Sequence, residues 1–222
     1  MEEVILFLLI ALTLLTIFCL YKMLDKRGLY FSLIIFNLIT FVLMFKVTYV
    51  FKLNINIGIV PYIGTLSIIY IFITKYGYKE VKNLYKLSLY NNIATAILLT
   101  TMNYFVPAIT ETVSINMQGT FEYNYKILII YPFMMLLSQY IIIKLYQLVS
   151  KIQNYIYISV SLTYIITGLI YTIIFYVLCY LDIMEIKYSL FLGISTYIAG
   201  LAITVIDTIF INYFVRGKKV IK

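Results

Sequence analysis

The chain contains no histidine. That removes imidazole as a general base, as a zinc ligand and as the middle member of a Ser-His-Asp triad. Charge is scarce as well: 12% of residues are Asp, Glu, Lys or Arg, where soluble domains carry about 25%. With 64% of residues hydrophobic, a water-facing surface cannot be built from what is left. The two cysteines, Cys19 and Cys179, stand alone in apolar runs without a CxxC spacing. They read as inert packing residues and say nothing of redox compartment. There is no HExxH, no glycine-rich phosphate loop, no pair of intramembrane carboxylates and no Ser/Lys dyad in a suitable setting. An enzyme is therefore not expected, and neither a cofactor nor a metal site is. The first apolar run follows Glu2 and Glu3 in place of a basic segment, so it reads as a retained helix and not as a cleaved signal peptide.

What the chain does have is long apolar runs. Seven stand out, at approximately 3–21, 29–51, 57–74, 88–108, 127–149, 155–181 and 189–215. Each is near the roughly 20 residues that cross a bilayer core as a helix, and none alternates as a barrel strand would. The expected fold is all-α, a polytopic transmembrane bundle of seven helices in one membrane domain over residues 1–222.

Loop charge sets the orientation. Lys22, Lys26 and Arg27 follow helix 1; Lys75, Lys79, Lys82 and Lys86 follow helix 3; Lys151 follows helix 5; Arg216, Lys218, Lys219 and Lys222 follow helix 7. The alternate segments hold Glu2 and Glu3, Lys52, then Glu111, Glu122 and Lys126, then Asp182, Glu185 and Lys187. The positive-inside rule puts the N-terminus outside and the C-terminus in the cytoplasm. The same clustering accounts for the net charge of +8 without a continuous basic face, so nucleic acid is not an expected partner. The outside loop at 109–126 carries no motif and reads as a connector. Many of the 24 tyrosines, among them Tyr21, Tyr30, Tyr49, Tyr76, Tyr104, Tyr155 and Tyr213, lie near helix ends. They read as an interfacial belt, with a stacking surface for a flat ligand as the functional alternative.

Three ionisable residues fall inside the expected spans, where each needs a compensating partner or a function. Lys46 lies about five residues from the outer end of helix 2, within reach of the outer interface. Lys144 is similarly close to the inner end of helix 5. Asp207 lies about eight residues from the inner end of helix 7, roughly 12 Å deep, and is too short to reach water. It must be protonated or find a partner, with Lys144 the better placed lysine if helices 5 and 7 are neighbours and with Thr204 and Thr208 as further donors. Thr196, Gly200 and Thr204 form a small polar stripe leading to Asp207 and Thr208; Ser159, Thr163 and Thr167, with Gly168 beside them, form another on helix 6. Such stripes either pack helices closely or line a cavity. Gln139, Asn91 and Asn92 add hydrogen-bonding groups that serve as interhelical glue or as ligand contacts.

Short matches follow one another from Lys26 to Lys219. Arg27-Gly28-Leu29-Tyr30 opens helix 2, Lys46-Val47 precedes Phe51 and Leu53, and Tyr76-Gly77-Tyr78-Lys79 follows helix 3. Ser138-Gln139, Thr172 with Phe175, and Thr196-Tyr197 followed by Asp207-Thr208 complete the series. In this order and spacing the chain resembles the vitamin uptake transporter (VUT) family, better described as queuosine precursor transporters. The resemblance implies six core helices, with helix 1 an N-terminal addition, in a bacterial plasma membrane. It also implies uptake of a deazaguanine precursor of the tRNA base queuosine or a related compound. Most of the family's charged positions fall here on uncharged residues, among them Tyr70, Thr74, Ile142, Ser159, Tyr171 and Gly200, whereas Lys46 and Asp207 remain.

The substrate pathway expected from these readings comprises Asp207, Thr208, Gln139, Lys46, Thr204 and Thr167, with the lipid bilayer and a small-molecule substrate as partners. A mostly uncharged pathway suits a neutral, flat, hydrogen-bonding solute better than a charged amine. Two rival readings stay open: a substrate-binding subunit of a multi-component importer, and a non-transporting membrane scaffold or partner subunit. Homo-oligomerisation and an energising partner subunit are open as well.

Overall fold

A computed structural model describes residues 1–102, 125–152, 156–180 and 185–215. Within them lie seven helices: α1 (Glu2–Leu24), α2 (Lys26–Leu43), α3 (Ile59–Tyr76), α4 (Tyr78–Met102), α5 (Tyr125–Ile152), α6 (Ile156–Tyr180) and α7 (Ile186–Val215). A hairpin of β1 (Val47–Val50) and β2 (Leu53–Asn56) joins α2 to α3. Six of the helices are long and apolar enough to cross a membrane; α4, which opens with lysines, is the seventh. The all-α bundle expected from the apolar runs is what the chain forms. The expected loop at 109–126 falls, except for its last two residues, outside the described residues, as do Tyr104, Tyr155, Asp182 and the basic tail from Arg216 onward.

The break points have local causes. Asp25, at φ 48°, ends α1 and turns the chain straight into α2, and Gly77, at φ 83°, ends α3 in a conformation that only glycine adopts without strain. Gly28 sits where a side chain would strike the Leu20 carbonyl, so α1 and α2 approach backbone to backbone.

The expected second helix, 29–51, is corrected: it ends at Leu43, and residues Val47–Val50 pair antiparallel with Leu53–Asn56. Phe51 and Lys52, at φ 50° and 62°, form the two-residue turn whose twist suits a hairpin. A short apolar run rich in β-branched and aromatic residues fits helix or strand equally by periodicity, which is why it read as helix. Lys46 consequently lies on no helix; it is exposed at the approach to the hairpin. The fourth helix is also longer than expected at its start, running from Tyr78 and not from 88.

Contacts at the helix ends show that successive helices run in opposite directions. At one end Lys26 Nζ meets Glu80 Oε2 at 2.8 Å, the Tyr76 hydroxyl donates to Asp25 at 3.0 Å, Lys75 donates to the Tyr21 hydroxyl at 2.9 Å, and Tyr78 meets Ser150 at 3.1 Å. This is the lysine-rich end. At the other, Thr48 reaches Glu2 at 3.3 Å, and the buried Asn56 ties three elements together. It donates from Nδ2 to the Met44 carbonyl at 2.6 Å and from its backbone to Thr196 at 3.0 Å, and accepts from Gly58 at 2.9 Å.

Burial is uneven. α3 is buried at every residue from Ile59 to Thr74 and packs on α1, α2, α4, α5 and α7. α1 buries a single stripe, Leu6, Ile10, Thr13 and Ile17, and leaves the rest of its apolar surface to lipid.

Candidate functional site

Asp207 lies on α7 facing α3, with 2% of its surface exposed. Ser67 Oγ is 2.5 Å from Asp207 Oδ1 and 2.9 Å from the Ile63 carbonyl, so its one proton serves one acceptor or the other. Ile10, Thr13, Val60, Gly64 and Ile203 surround a cavity of about 10 Å³ beside the carboxyl group, close to the space one water molecule needs. Neither expected donor on α7 serves Asp207. Thr204 donates to the Gly200 carbonyl at 2.8 Å and Thr208 to the Thr204 carbonyl at 2.6 Å, satisfying themselves on their own helix. Lys144 is no partner either: it is exposed in a cleft between α4 and α5, its ammonium 5.7 Å from the centre of the Tyr140 ring. Among the described residues no cation pairs with Asp207. The partner Asp207 does have, Ser67, was not singled out in the sequence; serine at that position of an apolar helix carries no signal beyond its polarity.

A column of buried aromatic side chains runs between α3, α5 and α6. Tyr62 stacks on Tyr171 with ring centres 4.7 Å apart and planes 15° apart, and Tyr171 stacks on Phe175 at 5.3 Å and 6°. Tyr131 meets Phe175 edge-on at 6.4 Å, and Tyr176 stacks on Tyr180 at 5.7 Å. Deeper toward the lysine-rich end, the Tyr70 hydroxyl is 2.8 Å from Thr163 Oγ1 and its ring 5.3 Å from that of Tyr146. Of the tyrosines read as interfacial, Tyr21, Tyr30, Tyr76 and Tyr213 lie near helix ends and Tyr49 on β1, but these core tyrosines form a second population that spacing along the chain does not distinguish from the first.

Several polar atoms in this core have no hydrogen-bond partner: the Tyr171 and Thr167 hydroxyls, one turn apart on α6, and Gln139 Oε1 on α5. Leaving such a group unpaired costs about 1–3 kcal/mol, and inside a bilayer no water repairs the loss. Gln139 belongs to a chain of amides and hydroxyls joining α2, α4 and α5. Asn37 donates to Ser88 at 2.9 Å, Asn92 to Ser88 at 3.2 Å, and Gln139 to Asn37 Oδ1 at 3.4 Å. The two small-residue stripes are filled by neighbours: the Tyr164 hydroxyl occupies the place a side chain at Gly200 would take, and the Tyr197 ring lies against Gly168.

The structure therefore brings Asp207, Thr204 and Thr208 together on one face of α7 and places Thr167 beside the aromatic column. It leaves Gln139 in a separate network and Lys46 on the surface. No family model, no curated protein and no solved structure matches this chain. The geometry is thus what a functional reading has to stand on. Among the described residues no three cysteine or carboxylate groups gather closely enough to hold a metal ion. What the site offers is flat aromatic surface, unpaired hydrogen-bonding groups and one buried carboxyl group.

Proposed function

We propose that the chain is a membrane transporter for a small, flat, uncharged, hydrogen-bonding solute with a nucleobase-like ring. The observation that carries the reading is the Tyr62–Tyr171–Phe175 stack with the unpaired hydroxyls of Tyr171 and Thr167 at its edge. A ring entering the stack replaces one aromatic face with another and gives those hydroxyls the partners they lack. Asp207, with a water-sized space beside it, is the residue through which proton or ion binding would be coupled to opening.

The resemblance to queuosine precursor transporters narrows the solute to a deazaguanine-type base or a relative. Tyr70, Ser159 and Tyr171, which match charged family positions, are all buried in this core. The positive-inside rule puts the lysine-rich end in the cytoplasm and the N-terminus outside, and the resemblance implies a bacterial plasma membrane. A second reading, a non-transporting partner subunit, is favoured by the filling of the α7 stripe by Tyr164 and Ile59. Expression in a strain unable to make or import queuosine precursors, followed by feeding one and scoring queuosine in tRNA, separates the two. Uptake is expected, with neutral precursors preferred to cationic ones; uptake of a cationic precursor alone, or none at all, counts against the proposal.

A further inference from the structure

α4 and α5 diverge to leave a cleft that runs along both. Toward the lysine-rich end it has a volume of about 590 Å³ and is lined by Lys79, Lys82, Lys86 and Lys144; further into the bundle it continues as an apolar groove of about 690 Å³. Tyr85 lines both parts, and its ring faces that of Tyr140 across the cleft at 6.3 Å. No acidic residue lines either part, and the one side-chain ion pair among the described residues, Lys26–Glu80, lies outside it.

The pattern follows from the register of α4. Lys79, Lys82 and Lys86 recur at three- and four-residue steps, so they share one face, and the same face continues through Leu89, Ile93 and Ala96. One helix face thus changes from cationic to apolar along its length, with a tyrosine from each wall at the change. That is the profile of a phospholipid: charged headgroup, interfacial aromatic level, acyl chain. Lys82 and Lys86, one turn apart on α4, and Lys144 across the cleft repel one another, and an anion among them offsets that repulsion.

We propose that this cleft binds an anionic phospholipid of the leaflet at the lysine-rich end, with its phosphate among Lys82, Lys86 and Lys144 and an acyl chain along the apolar groove. The site is independent of whether the chain transports a solute.

Native mass spectrometry of the purified, delipidated full chain tests it, with phosphatidylglycerol and phosphatidylcholine of identical acyl chains as probes and inorganic phosphate as a third. One phosphatidylglycerol per chain is expected, retained on the order of tenfold better than phosphatidylcholine, and phosphate alone is not retained. The combined variant Lys82→Gln, Lys86→Gln, Lys144→Gln loses that preference, while Lys22→Gln with Lys151→Gln, at the same end but outside the cleft, keeps it. Ala96→Phe fills the apolar groove without changing charge and lowers retention of both lipids. Equal retention of the two lipids overturns the proposal, as does equal loss in both lysine variants, retention of phosphate alone, or undiminished binding by Ala96→Phe.

Discussion

The two sides of the bundle pack in opposite ways. Where α6 and α7 meet α3, glycines face tyrosines: Gly200 receives the Tyr164 hydroxyl, Gly193 the Tyr176 ring and Gly168 the Tyr197 ring. Knob and hollow match, and the interface closes. Between α4 and α5 no such matching occurs; lysines, leucines and Pro132 line an open cleft. In lipid there is no hydrophobic force to close a gap between helices, so shape matching and hydrogen bonds alone decide whether they touch. The difference between the two sides therefore lies in small residues as well as in the lower hydrophobicity of α4.

The largest expected effect breaks that matching. Gly200→Val drives two methyl groups into the space of the Tyr164 hydroxyl and the Ile59 side chain. Overpacking of this kind costs about 1–3 kcal/mol. Ala96→Val, the same order of added volume in the open cleft, is expected to leave stability unchanged. Unfolding midpoints of the two variants in one detergent check the contrast, and equal midpoints would falsify the claim that the sides differ in packing.

Next comes the carboxyl group on the closed side. Asp207→Asn keeps the hydrogen-bonding shape next to Ser67 but removes the ionisable group, and is expected to preserve membrane insertion while lowering uptake at least tenfold. Lys46→Gln, exposed beside the hairpin, is expected to have little effect on uptake. Normal uptake by Asp207→Asn reassigns the residue to helix packing.

How much of this was legible beforehand divides along the same line. Helix number, alternating direction and the burial of Asp207 follow from apolar run length and side-chain reach, which are local properties. The hairpin at 47–56 was missed because Val47, Tyr49 and Val50 are as apolar as any helix segment, and only the backbone at Phe51 and Lys52 reveals the turn. Ser67 as the partner of Asp207 was missed for a different reason: 140 positions separate them, and helix neighbours cannot be read from one sequence. Lys144 was a candidate partner only if helices 5 and 7 were neighbours, and α5 instead turns that lysine toward α4. The tyrosines divide by depth, a coordinate that the order of residues does not contain.

A smaller effect sharpens the proposed substrate contact. Tyr171→Phe removes a buried hydroxyl that has no partner and keeps the stack on Tyr62 and Phe175. Stability is expected to hold or to rise by about 1 kcal/mol, because no hydrogen bond is lost and one desolvated group is gone. Uptake is expected to fall several-fold. A variant that loses stability and uptake in proportion indicates that the hydroxyl has a structural partner instead.

The smallest effect concerns how the lysine-rich end is held. On the closed side Asp25 accepts from Tyr76 at 3.0 Å, and this bond, with a further one from Tyr21 and the nearby Lys75, holds its carboxyl below the ordinary 3.8. Glu80 is held low in the same way by Lys26. A carboxylate with a depressed value contributes stability that is complete above its unfolded value and is lost as pH falls through its folded one. Both ties are therefore intact from neutral pH down to about 5 and weaken only in stronger acid, below the ordinary carboxylate range. Because Asp25 is exposed and Glu80 only half-buried, the loss is slight. The cleft between α4 and α5 has no carboxylate in its lining, so the same titration leaves it unchanged. A cysteine-reactive probe at Asn83 on α4, followed by fluorescence between pH 6 and pH 3, is expected to report loosening of the tie to α2. Combining Asp25→Asn with Glu80→Gln abolishes that response by removing both titrating groups. A response that persists in the combined variant places the acid-sensitive group elsewhere and removes these ties from the account of how the closed side is held.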